Sequence, residues 1–141
     1  MYLLDTDIAT LLMYGRNERV QRRYRSIPES EIVGLPIVTR IQMLIGRMNA
    51  ILASSDERQL LDNADRLILT ENWLAGFAIQ PLTPESVHTF CLFHANRKWK
   101  KIGISDLLIA SIALCSHATL VTRNTKDFAS IPGLRFENRA D

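Results

Sequence analysis

The sequence predicts an α/β sandwich built on a mainly parallel sheet. Three observations carry this. Short apolar runs at 1–4, 31–38 and 119–122 have the length of buried strands. Longer stretches with helical apolar spacing separate them. Strands alternating with helices in this way form a parallel sheet covered by helices.

Taken in order, Met1 to Leu4 is apolar and stops abruptly at Asp5-Thr6-Asp7, a strand delivering acids at its C-terminal end. Asp7 is expected to cap a helix through Ile8, Leu11, Leu12 and Tyr14, ended by Gly15. Asn17 starts a second, arginine-rich helix closed near Pro28. The next strand spans Glu31 to Val38, and Pro36 inside it argues for an irregular or edge position, or for a strand beginning after it. Thr39 is expected to cap a third helix with Ile41, Leu44, Ile45 and Met48 at core spacing. Ser54 with Glu57 reads as a capping box opening a fourth, with Leu60, Leu61, Ala64 and Leu67 inward, continuing to Phe77. A brief strand over Ala78 to Leu82 follows. Thr83-Pro84-Glu85 then supplies cap, first-position proline and first-turn acid for a helix running past Phe90 and Phe93. Ser105 caps the next helix, almost unbroken in its apolar character from Leu107 to Leu114, with Asp106 in its first turn. Thr119 to Thr122 is a β-branched strand, Pro132-Gly133 a turn, and Leu134-Arg135-Phe136 a closing edge strand.

The chain has 141 residues, 47% hydrophobic and 23% charged, and is expected to be one domain over residues 1–141 with a core that needs no staples. A net charge of +2 does not by itself imply nucleic-acid binding, but the cations are clustered. Arg16, Arg19, Arg22, Arg23 and Arg25 fall together, and Arg97, Lys98, Lys100 and Lys101 form a second group around Trp99. Each run is read either as a solvated helix face or as a phosphate-binding surface. Trp99 is read as a helix-end residue or a base-stacking platform. Cys91 and Cys115 sit in apolar helical runs and are expected to be buried free thiols in a reducing compartment. No membrane-length apolar window and no signal peptide are visible, so a soluble cytoplasmic protein is expected.

In open α/β sheets, functional groups collect beyond the C-terminal strand ends. Four segments are expected there: Asp5-Thr6-Asp7, Thr39 to Gln42, Ser105-Asp106 and Asn124 to Asp127. If Asp5, Asp106 and Asp127 converge, they repel one another and raise each other's pKa. Mg²⁺ or Mn²⁺ relieves that repulsion and activates water against a phosphodiester. The plainer alternative is a set of separate helix caps.

Leu4-Asp5-Thr6-Asp7-Ile8 resembles the N-terminal motif of PIN-domain ribonucleases. Gly103-Ile104-Ser105-Asp106-Leu107-Leu108-Ile109-Ala110 is similar to their third motif. Val121-Thr122-Arg123-Asn124-Thr125-Lys126-Asp127-Phe128, followed by Ile131-Pro132-Gly133-Leu134, resembles their C-terminal signature. The nearest group is the VapC-type toxins of bacterial toxin–antitoxin pairs. This resemblance implies a three-layer α/β/α fold, Mg²⁺- or Mn²⁺-dependent cleavage of single-stranded RNA, a homodimer and a cognate antitoxin. It implies Asp5, Asp106 and Asp127 as metal ligands. Asn124 would be a polar contact or water-mediated ligand, and Thr39 and Thr122 would be hydroxyls near the metal. Asp7 stands where asparagine is more usual and is assigned to capping. RNA phosphates are expected on Arg16, Arg22 and Arg23 or on Lys98, Lys100 and Lys101.

The departure lies in the second motif, Thr39-Arg40-Ile41-Gln42-Met43-Leu44-Ile45-Gly46, where Gln42 replaces a glutamate. Glutamine retains an acceptor oxygen but neither the charge nor the basicity. A weakened nuclease, a degenerate chain kept for binding and a disarmed engineered variant are the three readings. A phosphatase using Asp5 as nucleophile and Asp7 as acid is a further class, although the acidic pair such chemistry needs downstream is not evident.

Overall fold

The computed structural model describes residues 1–141. Five short strands form one all-parallel sheet: β1 (Tyr2–Leu4), β2 (Val33–Pro36), β3 (Ala78–Gln80), β4 (Thr119–Val121) and β5 (Arg135–Glu137). Their order is β3-β2-β1-β4-β5. Seven helices connect them: α1 (Thr6–Tyr14), α2 (Glu18–Arg25), α3 (Ile37–Leu52), α4 (Glu57–Leu74), α5 (Pro84–Ala95), α6 (Ile104–Cys115) and α7 (Thr125–Phe128). A single 3₁₀ turn, Arg97–Trp99, follows α5.

The layering follows from strand alternation. Leu3 and Leu120 belong to one apolar core, with Leu107, Ile109, Ile112, Trp99 and Phe128. Their neighbours Leu4 and Val121, with Leu35, belong to the other, with Ile8, Leu12, Val20, Met43 and Leu74. The sheet is therefore dry on both faces, and this is the expected three-layer α/β/α arrangement.

The structure moves several elements from their expected places. β2 is an inner strand despite Pro36, because Pro36 is its last residue and lies beyond the ladder to β1, which ends at Gly34. A missing N–H is harmless there. Gly34 itself sits so close to β3 that an added Cβ would stand 2.7 Å from the Ala78 carbonyl oxygen. α3 starts at Ile37 straight after Pro36, so Thr39 is inside the helix and caps nothing. α4 is capped by Asp56, whose Oδ1 accepts from the Gln59 amide at 2.8 Å, rather than by Ser54. α4 stops at Leu74 without reaching Phe77. The caps at Asn17 and Thr83 are as expected, with Ser86 completing a capping box.

The apolar positions of α3 and α4 are where the sequence was most misleading. Ile41, Ile45, Met48, Leu60 and Leu61 are exposed, although they have core spacing. Strands of three or four residues reach roughly 10–13 Å, whereas helices of 16 and 18 residues reach roughly 24–27 Å. The α3–α4 hairpin thus overhangs the sheet and has no layer to bury its outer stripe. Cys91 is likewise exposed, because α5 turns Phe90 and Phe93 inward instead, and Cys115, the last residue of α6, is only half-buried. No helix is long and apolar enough to cross a membrane.

Candidate functional site

β1, β2 and β3 run to one side of the sheet and β4 and β5 to the other, so the strand order reverses between β1 and β4. Connections leave in opposite directions at such a point and open a crevice at the carboxyl ends of the two strands. Asp5 follows β1 directly, and Thr122 to Asn124 follow β4.

Asp5 is 6% exposed and is fixed in three ways. Its amide donates to the Val121 carbonyl at 3.1 Å, continuing the β1–β4 ladder. Its Oδ1 accepts from the Ile8 amide at 2.9 Å, so Asp5, and not Asp7, caps α1. The buried Thr39 hydroxyl donates to the Leu4 carbonyl at 3.1 Å and clamps α3 onto the residue before it. Burial is the main reason that the Asp5 carboxyl is pushed up to about 6. Hydrogen bonds from Thr122 and the Ile8 amide oppose this, and repulsion from Asp7 and Asp106 adds to it.

Asp106 lies in the first turn of α6, whose cap is Gly103 with no side-chain bond; Ser105 is already helical. Its carboxyl is raised by burial first and by the neighbouring Asp127 second, against a hydrogen bond from Asn124. Asn124 is the link between these acids. Its Nδ2 donates to Asp127 Oδ2 at 3.0 Å and to Asp106 Oδ2 at 3.4 Å. Its own amide donates to the fully buried Thr122 Oγ1 at 2.9 Å. The side-chain amide therefore lies between two carboxylates, where a cation would compete with it.

Asp5, Asp106, Asp127, Asn124 and Thr122 thus form one connected set. Asp7 does not belong to it; it is exposed and ion-paired with Arg123 at 3.8 Å. Gln42 stands beside the set, with Oε1 accepting from the Thr6 hydroxyl in a short hydrogen bond. Neither Lys nor Arg bonds to Asp5, Asp106 or Asp127. The donor chemistry, hard carboxylate oxygens with unrelieved repulsion, fits Mg²⁺ or Mn²⁺. The set is open, however: no three acidic, imidazole or thiol side chains are already drawn together as ligands of one ion.

The cationic residues are scattered in role. Arg16, Arg22 and Arg23 are all exposed, and Arg23 Nη1 also donates to the Asn138 carbonyl of the C-terminal tail at 2.9 Å. Lys100 and Lys101 are exposed in the segment leading into α6. Lys98 sits 5.2 Å above the Trp99 ring. Trp99 is buried, with its indole N–H donating to the Ser130 carbonyl at 3.1 Å and its ring edge-on to Phe93, so it is a core residue and not a stacking platform. Two residues carry no assigned role from sequence alone: Thr6, the partner of Gln42, and Arg47. The signal for both was proximity: Thr6 separates two acids, and Arg47 lies little more than a helical turn beyond Gln42.

Comparison with known proteins bears on the fold and the family. The chain is 60% identical over 37 residues to ribonuclease VapC2 of Rickettsia felis, a match that spans 26% of this chain and 28% of that one. It is 25% identical over 144 residues to ribonuclease VapC1 of Haemophilus influenzae strain R2866, covering 98% and 97% of the two chains. A toxin–antitoxin complex from Klebsiella pneumoniae contains a chain of the same fold, with a TM-score of 0.69 at 22% identity over 99% of this chain and 98% of that one. The PIN domain profile matches residues 2–134, from β1 through the turn before β5, and the chain belongs to the PIN domain family.

Proposed function

We propose that this chain is a divalent-metal-dependent endoribonuclease that cleaves single-stranded RNA and acts as the toxin of a toxin–antitoxin pair. The observation that supports this most is the linkage of Asp5, Asp106 and Asp127 through Thr122 and Asn124 beside the β1/β4 crevice, with none of the three ion-paired to a basic side chain. In this reading Asp5, Asp106 and Asp127 would hold Mg²⁺ or Mn²⁺, and a bound ion supplies an activated water and a clamp on phosphoryl oxygens. The protein's part is placement. The Ile8 amide and Thr122 orient Asp5, α6 presents Asp106, and Asn124 keeps Asp127 in register with it. EDTA is expected to stop cleavage of a labelled single-stranded RNA, and Mn²⁺ in excess to restore it. Cleavage that continues in EDTA would overturn the mechanism.

Gln42 favours a second reading, a chain whose catalysis is impaired and whose fold is kept for binding an antitoxin or RNA. The glutamine adds no negative charge, and its carbonyl oxygen is engaged by Thr6. Gln42→Glu separates the two readings. With a fourth acid, Mn²⁺ affinity measured by calorimetry should rise at least about tenfold, since charge count tunes such sites, and the cleavage rate should rise with it. No gain in either would set aside Gln42 as the weak point.

The assignment of partners rests on exposed apolar residues. Ile41, Ile45, Met48 and Leu52 recur at helical spacing along α3, with Leu61, Ile68 and Leu69 on α4. An amphipathic segment of a cognate antitoxin would cover such a stripe, consistent with the likeness to a chain of a toxin–antitoxin complex. A second copy of this chain is the other proposed partner. A location in the cytoplasm, where RNA and antitoxin are made, completes the proposal.

A further inference from the structure

We infer that the pocket between α1 and the α3–α4 hairpin is a subsite for a second phosphate of the RNA strand, held by Arg47. The inference rests on the ribonuclease reading above and extends it along the substrate.

The pocket has a volume of about 170 Å³ and is lined by Thr6, Thr10, Tyr14, Gln42, Arg47 and Thr70, with Met13, Met43 and Gly46 completing it. No acid is among these residues. It adjoins the carboxylate cluster, because Thr6 follows Asp5 in the chain and bonds to Gln42. Arg47 makes no ion pair, and its buried Nη1 has no hydrogen-bond partner. A guanidinium with a buried, unpartnered N–H is costly, and an anion relieves that cost.

The other polar groups narrow the ligand. The Thr10 and Thr70 hydroxyls already donate to the Thr6 and Arg66 carbonyls at 2.7 and 2.8 Å. The Thr6 proton goes to Gln42 Oε1. The donors left are Arg47, the Gln42 side-chain nitrogen and the Tyr14 hydroxyl, which is a set for an oxyanion. Tyr14 supports a nucleic-acid strand over a protein carboxylate. The residue is 38% exposed, and the Arg16 and Arg47 guanidinium carbons lie 5.1 and 5.9 Å from its ring centroid. A partly open aromatic ring flanked by two guanidiniums offers a base a stacking face beside phosphate-binding charge. A strand with one phosphate at the acids would lay a neighbouring one on Arg47. Gln42 then donates to substrate through its side-chain nitrogen, and an ionised glutamate loses that donor, so the gain in Mn²⁺ affinity and rate expected of Gln42→Glu should come with a raised KM.

The test uses the full chain loaded with Mn²⁺ and a labelled single-stranded RNA of mixed sequence, about 20 nucleotides long. Arg47→Ala is expected to raise KM about tenfold with kcat within about twofold. Because a single-stranded phosphate contact contributes a salt slope of about 0.7, the dependence of binding on log salt should flatten by that amount, measured on the Asp106→Asn background. Arg47→Gln, which retains the side-chain stem, should behave like Arg47→Ala, so that a folding defect in the latter does not decide the result. Arg47→Lys should recover part of the affinity. An unchanged KM and salt slope in both neutral variants would overturn the subsite and leave Arg47 to a protein partner's carboxylate. A wild-type chain that neither binds nor cuts the RNA would instead overturn the ribonuclease reading, and the subsite with it.

Discussion

Asp106→Asn is expected to reduce RNA cleavage by about a thousandfold or more, which is about 4 kcal/mol of lost transition-state stabilisation. The substitution is nearly isosteric, so α6 should fold as before. Asp106 is not a side-chain cap of that helix, and the core below it, from Leu107 to Ala113, is unaffected. What is lost is the charge that Asp127 repels and Asn124 contacts. In the wild-type chain that pair has no basic partner, which is why the effect should fall on metal binding and catalysis and not on folding. Gel assays of a single-stranded RNA with Mn²⁺, alongside circular dichroism of the variant, read the two separately. A variant that retains more than a tenth of the activity would remove Asp106 from the centre of the site.

Asp5→Asn should likewise end cleavage, and it should make the metal-free protein more stable. The sign follows from linkage. The folded carboxyl titrates at about 6 against 3.8 for the free side chain, so the folded state holds the proton more tightly than the unfolded one. Ionising Asp5 therefore destabilises the fold. The penalty is absent below about pH 4, grows between about 4 and 6, and is complete above 6. Its size is about 3 kcal/mol, from roughly two pKa units at 1.36 kcal/mol each. Asparagine keeps an acceptor oxygen for the Ile8 amide, so the α1 cap survives. In EDTA at pH 7.5 the variant should melt on the order of 5–10 °C higher than wild type, and the difference should vanish near pH 4. Added Mn²⁺ should raise the wild-type melting temperature and leave that of the variant little changed. Equal melting temperatures in EDTA at both pH values would mean that Asp5 is not held in a charge-hostile site.

Local chemistry was legible where a residue's neighbours in sequence decide its role. Asn17 and Thr83 cap helices because the amides that they accept from lie three residues on. α6 reads as buried because apolar residues occupy nearly its whole circumference. The reading failed where another element decides. Thr39 looked like a cap, yet Pro36 had already turned the chain into α3 and left the hydroxyl free to hold the Leu4 carbonyl. The basic run left Trp99 open to two roles, helix-end residue or base platform, and Phe93 and the Ser130 carbonyl enclose it and exclude the second. Arg23, one of the expected phosphate contacts, also ties the C-terminal tail through one of its N–H groups, a partner more than a hundred residues away that no local pattern shows.

By itself the sequence determined the alternation of strands and helices, the parallel α/β class and the acids at strand ends, because apolar periodicity and capping act over one or two turns of chain. Only the tertiary structure decided that the sheet runs 3-2-1-4-5, which places Asp5 and the β4 end side by side at its reversal. It alone decided that Asn124 joins Asp106 to Asp127, that Gln42 is engaged by Thr6, and that Arg47 is a cation without a counterion. Those properties depend on distances between residues far apart in the chain, and on the water excluded between them, neither of which any local pattern encodes.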